Sequence, residues 1–272
     1  ESSAASDVYK RQQQYVQLET LVATEADRVL AITSQVADEL VRRGVPADRI
    51  DLAPNAVDPD QFVALPCDEA YAARHAIRTD VPVIGFAGSM VDYEGLDLLV
   101  QASKKLVERD IDHQIVLAGS GAASTALRQL ADDLGLQTIT FLGRRPITEM
   151  PQLVSTFDIM PCPRKSVPVT ELVSPLKPLE AFSSGKAVVL SDVAPHRDLA
   201  GGDENRALLF KADDASALAD ALQRLIETPD LGKDMGRRAG RWVREERTWS
   251  HLASRMMATQ QRAITTAAEQ AQ

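Results

Sequence analysis

Short runs of apolar and β-branched residues alternate along this chain with helix-length segments that are apolar on one side only. The runs at 28–33, 49–53, 83–87, 114–118, 138–142, 158–161 and 187–191 read as strands, with 207–211 as a shorter candidate. Helical periodicity falls between them, at 34–43, 95–109, 122–135, 147–157, 175–184 and 215–227. The strand runs are continuously apolar, as expected where helices cover both faces of a sheet. Strand–helix repetition of this kind predicts an α/β fold built on a doubly wound parallel sheet. From 231 to about 263 the chain carries a long helical pattern containing Trp242 and Trp249, both read as packing anchors.

Residues 55–66 (NAVDPDQFVALP) have two prolines, turn-forming residues and no periodicity, and read as a linker. Upstream lie only two strands, too few for an independent sheet, whereas the residues downstream suffice for one complete α/β domain. The chain opens on Glu1 instead of a methionine and reads as a fragment. In doubly wound sheets ligands bind beyond the carboxyl ends of the strands. Glycines recur in three strand-end loops, 88–95 (GSMVDYEG), 119–122 (GSGA) and 143–146 (GRRP), where they let the backbone approach a ligand closely. Neither the G-x-G-x-x-G of a dinucleotide site nor the G-x4-G-K-[ST] of a P-loop is present.

Composition narrows the choice of ligand. A net charge of −9 argues against a nucleic-acid protein, so an anionic ligand must be held by local cations and backbone amides. Cys67 and Cys162 lie far apart, which excludes a disulfide framework and suits a reduced, cytoplasmic setting. No apolar run approaches the roughly 20 residues of a membrane helix. His75, His113, His196 and His251 are scattered, so no metal cluster is expected. His196 follows a strand-end turn, where it either approaches a ligand or serves as a cap or surface residue.

The most informative stretch is 170–192 (TELVSPLKPLEAFSSGKAVVLSD). Lys177 and Glu180 are three apart and share one face of the predicted helix. Ser174 is placed to cap that helix and Pro175 to occupy its first turn. A helix N-terminus with a lysine in its first turns suits an anion. The pair fits a ligand with phosphate at one end and sugar hydroxyls at the other; it also fits an amphipathic helix with two solvated charges.

Five segments in order resemble the donor-binding half of retaining glycosyltransferases with two Rossmann-like domains (GT-B), the large glycosyl transferases group 1 family. They are IGFAGSMVDYEGLDLLVQA at 84–102, VLAGSG, ITFLG, LEAFSSGKAVVLSDV and, upstream, the stretch 26–62. The resemblance implies one complete Rossmann-like domain at 61–245, a remnant of the first domain with its hinge at 1–60, and a C-terminal helix at 246–272 packing back toward that first domain. It implies transfer of a hexose-type sugar from a nucleotide diphosphate sugar to an acceptor hydroxyl with retention. No cofactor beyond that donor is implied. The acceptor, whether glycan, lipid-linked or small molecule, belongs to the first domain, and so does any peripheral association with the inner membrane face. A non-catalytic nucleotide-sugar-binding subunit and a nucleotide-sugar epimerase are the alternative readings.

The resemblance also implies residue roles. Glu180 would accept hydrogen bonds from ribose hydroxyls, which suits a carboxylate because it only accepts when ionised. Ser174, Pro175, Leu176 and Lys177 would face the diphosphate, with Gly88 and Ser89 in the first glycine loop. Leu142, Gly143 and Arg144 would border the base, although Arg144 and Arg145 also fit a solvated turn. The chain departs from the family in two places. The arginine and lysine of the family's first loop are replaced by Ser89 and Glu94. The earlier of the family's paired glutamates would fall at Leu172, while the nearest carboxylate is Glu171, expected to orient sugar hydroxyls. Either Lys177 takes over the diphosphate charge or the site has decayed; retention of Lys177 and Glu180 on one face favours the first.

Overall fold

The structure, a computed structural model, describes residues 2–270 and divides into two compact units. The first comprises the chain up to Asn55, Leu172–Ser174 and the stretch from Ser250 onward. Within it a helix over Ser2–Glu25 precedes β1 (Val29–Ala31), a helix over Ser34–Arg42 and β2 (Ile50–Leu52). Thr33 caps the second helix by accepting the Val36 N–H, and its hydroxyl donates to the Leu172 carbonyl at 2.6 Å. The two strands pair parallel, Val29 opposite Ile50, around a small core of Ala23, Leu40 and Val45. Sequence reasoning assigned no element to 2–25.

The second unit holds a six-stranded sheet: β3 (Val83–Ser89), β4 (Gln114–Ser120), β5 (Ile139–Gly143), β6 (Ile159–Cys162), β7 (Ala187–Ser191) and β8 (Leu208–Phe210). Every pairing is parallel and the order is β5-β4-β3-β6-β7-β8. The chain therefore winds outward from β3 in one direction, returns to the middle, and winds outward from β6 in the other. Alternate strand residues enter opposite cores. Ile84, Phe86, Ile115, Leu117 and Val189 join one apolar cluster, and Val83, Val116, Val188 and Leu190 join the other. Both faces are thus buried, which is why the strands are apolar throughout, and each large side chain so buried contributes about 1.5–3 kcal/mol.

Several expectations are revised. The helix foreseen at 175–184 spans only Lys177–Ser183, with Leu176 at its N-cap, no side-chain cap and Pro178 in its first turn. Ser174 does not cap it; the Ser174 carbonyl accepts from Asn55 Nδ2 at 2.7 Å. The segment 147–157 is a 3-10 turn over Ile147–Glu149 followed by a helix over Met150–Ser155. The tail breaks into helices over Pro229–Glu246 and Trp249–Gln270. Trp242 is a packing residue, edge-on to Phe182 at 6.3 Å with the Arg206 and Arg247 guanidinium groups over its ring. Trp249 is not an anchor, being 52% exposed. Among the described residues no helix is long and apolar enough to cross a membrane.

Candidate functional site

The order of winding reverses between β3 and β6, which pair parallel, and the carboxyl ends of those neighbours form the crevice where such folds take ligands. β3 ends in Gly88 and Ser89, in register with Gly119 and Ser120 of β4. Gly88 and Gly119 have φ of +152° and +136°, and a Cβ on Gly119 would lie 1.8 Å from the Gly88 carbonyl oxygen. Only a residue without a side chain fits there. The result is an open floor of backbone at the strand ends.

Lys177, at the start of its helix, lies across that floor. A Cβ on Gly88 would come within 2.4 Å of Lys177 Cε. The ammonium sits 5.4 Å from the centre of the Phe86 ring and 3.1 Å from Glu94 Oε1. The same oxygen accepts from Arg164 Nη2 at 3.0 Å, just beyond β6, and Glu94 is only 2% exposed. Two cations therefore share one buried carboxylate. Taking such charges from water is costly, and attraction in low dielectric with hydrogen-bonded geometry offsets that cost. The charge of Glu94 is consequently balanced within the site by Lys177 and Arg164.

The loop that carries Glu94 is braced. Lys165 Nζ reaches Asp92 at 2.8 Å and Asp97 at 3.1 Å, and the Lys165 N–H donates to the Tyr93 carbonyl. Gly95, at φ +70°, packs against the Pro163 carbonyl so closely that a Cβ would lie 1.9 Å from its oxygen.

Glu180 follows Lys177 by one helical turn. Both line a cavity of about 220 Å³ with Phe62, Phe86, Gly88 and Met160. Burial raises the Glu180 carboxyl above the ordinary glutamate value, and the Lys177 charge opposes that rise. A second cavity, of about 440 Å³, lies beside it and shares Ala87, Gly88 and Met150; Ser89, Ala118, Gly119, Ser120, Arg144 and Arg145 complete its lining. The two arginines differ. Arg145 donates to the Leu142 carbonyl at 2.9 Å, whereas Arg144 is exposed beyond Gly143 at the end of β5.

The remaining candidates lie elsewhere. Glu171 accepts from the Ser166 hydroxyl at 2.6 Å and from the Ala194 N–H at 3.0 Å, at the start of the helix Ala194–Ala200. Both its oxygens are thus engaged, and it lines neither cavity. Pro175 is buried, Leu176 is exposed and Ser174 belongs to the other unit; none of the three lines these cavities. His196 is neither a cap nor a surface residue. It is fully buried with Nδ1 against the Ser191 carbonyl, and burial pushes its pKa down to about 3.

Sequence reasoning missed Arg164 altogether. The available signal was an arginine immediately after a buried strand (IMPCPR), a place where a charge must find a partner.

Comparison with known proteins follows the same division of the chain. A family model described as glycosyl transferases group 1 matches residues 81–228, and one described as a glycosyl transferase 4-like domain matches residues 5–56. A D-inositol 3-phosphate glycosyltransferase of Nocardia farcinica is 29% identical over 249 residues, covering 88% of this chain and 53% of that protein. The chain thus spans about half the length of that relative. Among solved structures, sucrose-phosphate synthase from Thermosynechococcus elongatus superposes with a TM-score of 0.79 at 21% identity, over 93% of this chain and 62% of that one. Anabaena Alr3699/HepE, solved with UDP and glucose, gives 0.77 at 19% identity, over 94% and 67%. Both show that the fold is GT-B.

Proposed function

This chain belongs to the glycosyl transferases group 1 family, and from that premise we propose that it binds a nucleotide diphosphate sugar at the carboxyl ends of β3 and β6. In this reading it is the donor-binding half of a transferase that moves a hexose-type sugar to an acceptor hydroxyl with retention. One observation carries the proposal: Lys177 and Glu180 line the same cavity over a glycine floor. An ammonium beside a carboxylate, one helical turn apart, matches the two ends of a ribose diphosphate.

The roles follow from chemistry. As the glycosidic bond to phosphate breaks, negative charge gathers on the departing diphosphate and positive charge on the sugar. Lys177 stabilises the former, the kind of preorganised electrostatic term that dominates many enzymes. Glu180, ionised, accepts from the two ribose hydroxyls. Arg144, which lines the neighbouring cavity, borders the base together with Leu142 and Gly143, which precede it at the end of β5 and line neither cavity. A phosphate oxygen of the donor can take the acceptor's proton, so no protein base is required. Glu171 lines neither cavity, and its part is to hold the start of the Ala194–Ala200 helix.

Calorimetric titration of the chain with UDP-, GDP- and ADP-sugars tests this. The structural neighbour solved with UDP makes the uridine series the first choice. Saturable one-to-one binding of one series is the expected result, and absence of binding to all three would overturn the proposal.

A further inference from the structure

The unexpected acid of the site is Glu94. It is buried, and its side chain pairs with Lys177 and Arg164. Its second oxygen is buried without a hydrogen-bond partner among the described residues. Such a carboxylate does not line either cavity and offers a ligand nothing directly. What it touches is the ammonium that does line one.

Three features fix the path of the Lys177 side chain. Its stem crosses Gly88, where the missing Cβ leaves room; its ammonium faces the Phe86 ring; and it forms an ion pair with Glu94 Oε1 at 3.1 Å. The first two are apolar or weakly directional. Of the three, only Glu94 carries a charge, and it holds the ammonium at the cavity that Lys177 lines. Glu94 itself has little freedom. Arg164 holds the same oxygen, and the braces from Lys165 to Asp92 and Asp97 pin the loop on both sides of it.

We infer that Glu94 is a positioning residue: it holds the Lys177 ammonium over the glycine floor in the orientation that receives a diphosphate. The inference rests on the donor-site reading above. Its physical basis is preorganisation. An unrestrained lysine loses rotamer freedom when a ligand immobilises it, whereas one already held does not. A rival consequence follows from charge alone. Removing Glu94 raises the local positive charge, and if that mattered most, anions would bind more tightly.

The test is a double-mutant cycle read by calorimetry with UDP and GDP, and with uridine and guanosine as probes lacking phosphate. The variants are Glu94→Ala, Glu94→Gln, Lys177→Met and the Glu94/Lys177 pairs. Glu94→Ala is expected to weaken binding of the nucleoside diphosphate roughly tenfold, with no change for the nucleoside. Glu94→Gln keeps an acceptor oxygen and should recover part of the loss. In the Lys177→Met background neither change should matter by more than about twofold. Equal losses in both backgrounds, or tighter binding in Glu94→Ala, would overturn the inference. Should Glu94→Ala fail to fold, Glu94→Gln carries the comparison. Absence of binding by the parent chain would instead remove the donor-site reading itself, so the two failures are distinguishable.

Discussion

Two lysines flank the helix Lys177–Ser183, and they have opposite fates. Lys186, just past its end, lies at the amino edge of the sheet and donates to the Ser155 and Phe157 carbonyls at 3.1 and 2.7 Å. Burial lowers its pKa, opposed by the nearby Asp158 charge. Lys177, at the helix start, faces the carboxyl edge and is held by a carboxylate and an aromatic ring while still lining a cavity. Lys186 also lines a cavity, of about 440 Å³ at the amino edge, but its ammonium is committed to two main-chain carbonyls, whereas that of Lys177 is held by one carboxylate oxygen. A half-buried lysine is therefore not a site in itself. The difference lies in whether the protein or a ligand completes its hydrogen bonding.

Substitutions should separate the two roles. Lys186→Met strands two buried carbonyls and is expected to cost about 2 kcal/mol, a fall in Tm of roughly 4–8 °C, while folded protein keeps its nucleotide affinity. Lys177→Met should weaken UDP or GDP binding about tenfold (about 1.4 kcal/mol); it also takes one of two cations from the buried Glu94 carboxylate, so Tm falls too, and the contrast with Lys186 lies in affinity. If both lysines move Tm alike and neither moves affinity, the contrast collapses.

A smaller effect concerns pH. The Glu180 carboxyl lies above its ordinary value of 4.5 because of burial. Only its ionised form accepts both ribose hydroxyls, so affinity should fall as pH drops through that raised value, starting above 4.5. The sign for folding is opposite: a carboxyl raised in the folded state stabilises when protonated, and that contribution is lost as pH rises through the same range. Glu180→Gln should flatten the affinity profile, and a calorimetric series across pH would show it.

The parallel sheet was legible in the sequence because the central strands have a core on each face, which Ile84 enters on one side and Val83 on the other. Lys177 and Glu180 were legible because a three-residue spacing on a helix is a local geometric fact. The start of that helix was not. Ser174 looks like a cap, yet its carbonyl is held by Asn55, 119 residues away in the chain. Glu94 alone read as a lost cation; its meaning lies in Arg164, 70 residues on, and in Lys177. The partner of Glu171 was hidden for a similar reason, since the Ala194 N–H that it holds belongs to a helix with no local signal in common with it. Periodicity reveals burial, whereas charge pairing across strands depends on topology.

The central claim is that the diphosphate of a nucleotide is received by Lys177 above Gly88. A crystal structure of the chain with bound UDP or GDP tests this most directly. The account predicts phosphate oxygens within hydrogen-bond distance of Lys177 Nζ, ribose hydroxyls on Glu180 and the base beside Leu142, Gly143 and Arg144. A nucleotide bound away from β3 and β6, with Lys177 engaged by Glu94 alone, would contradict it.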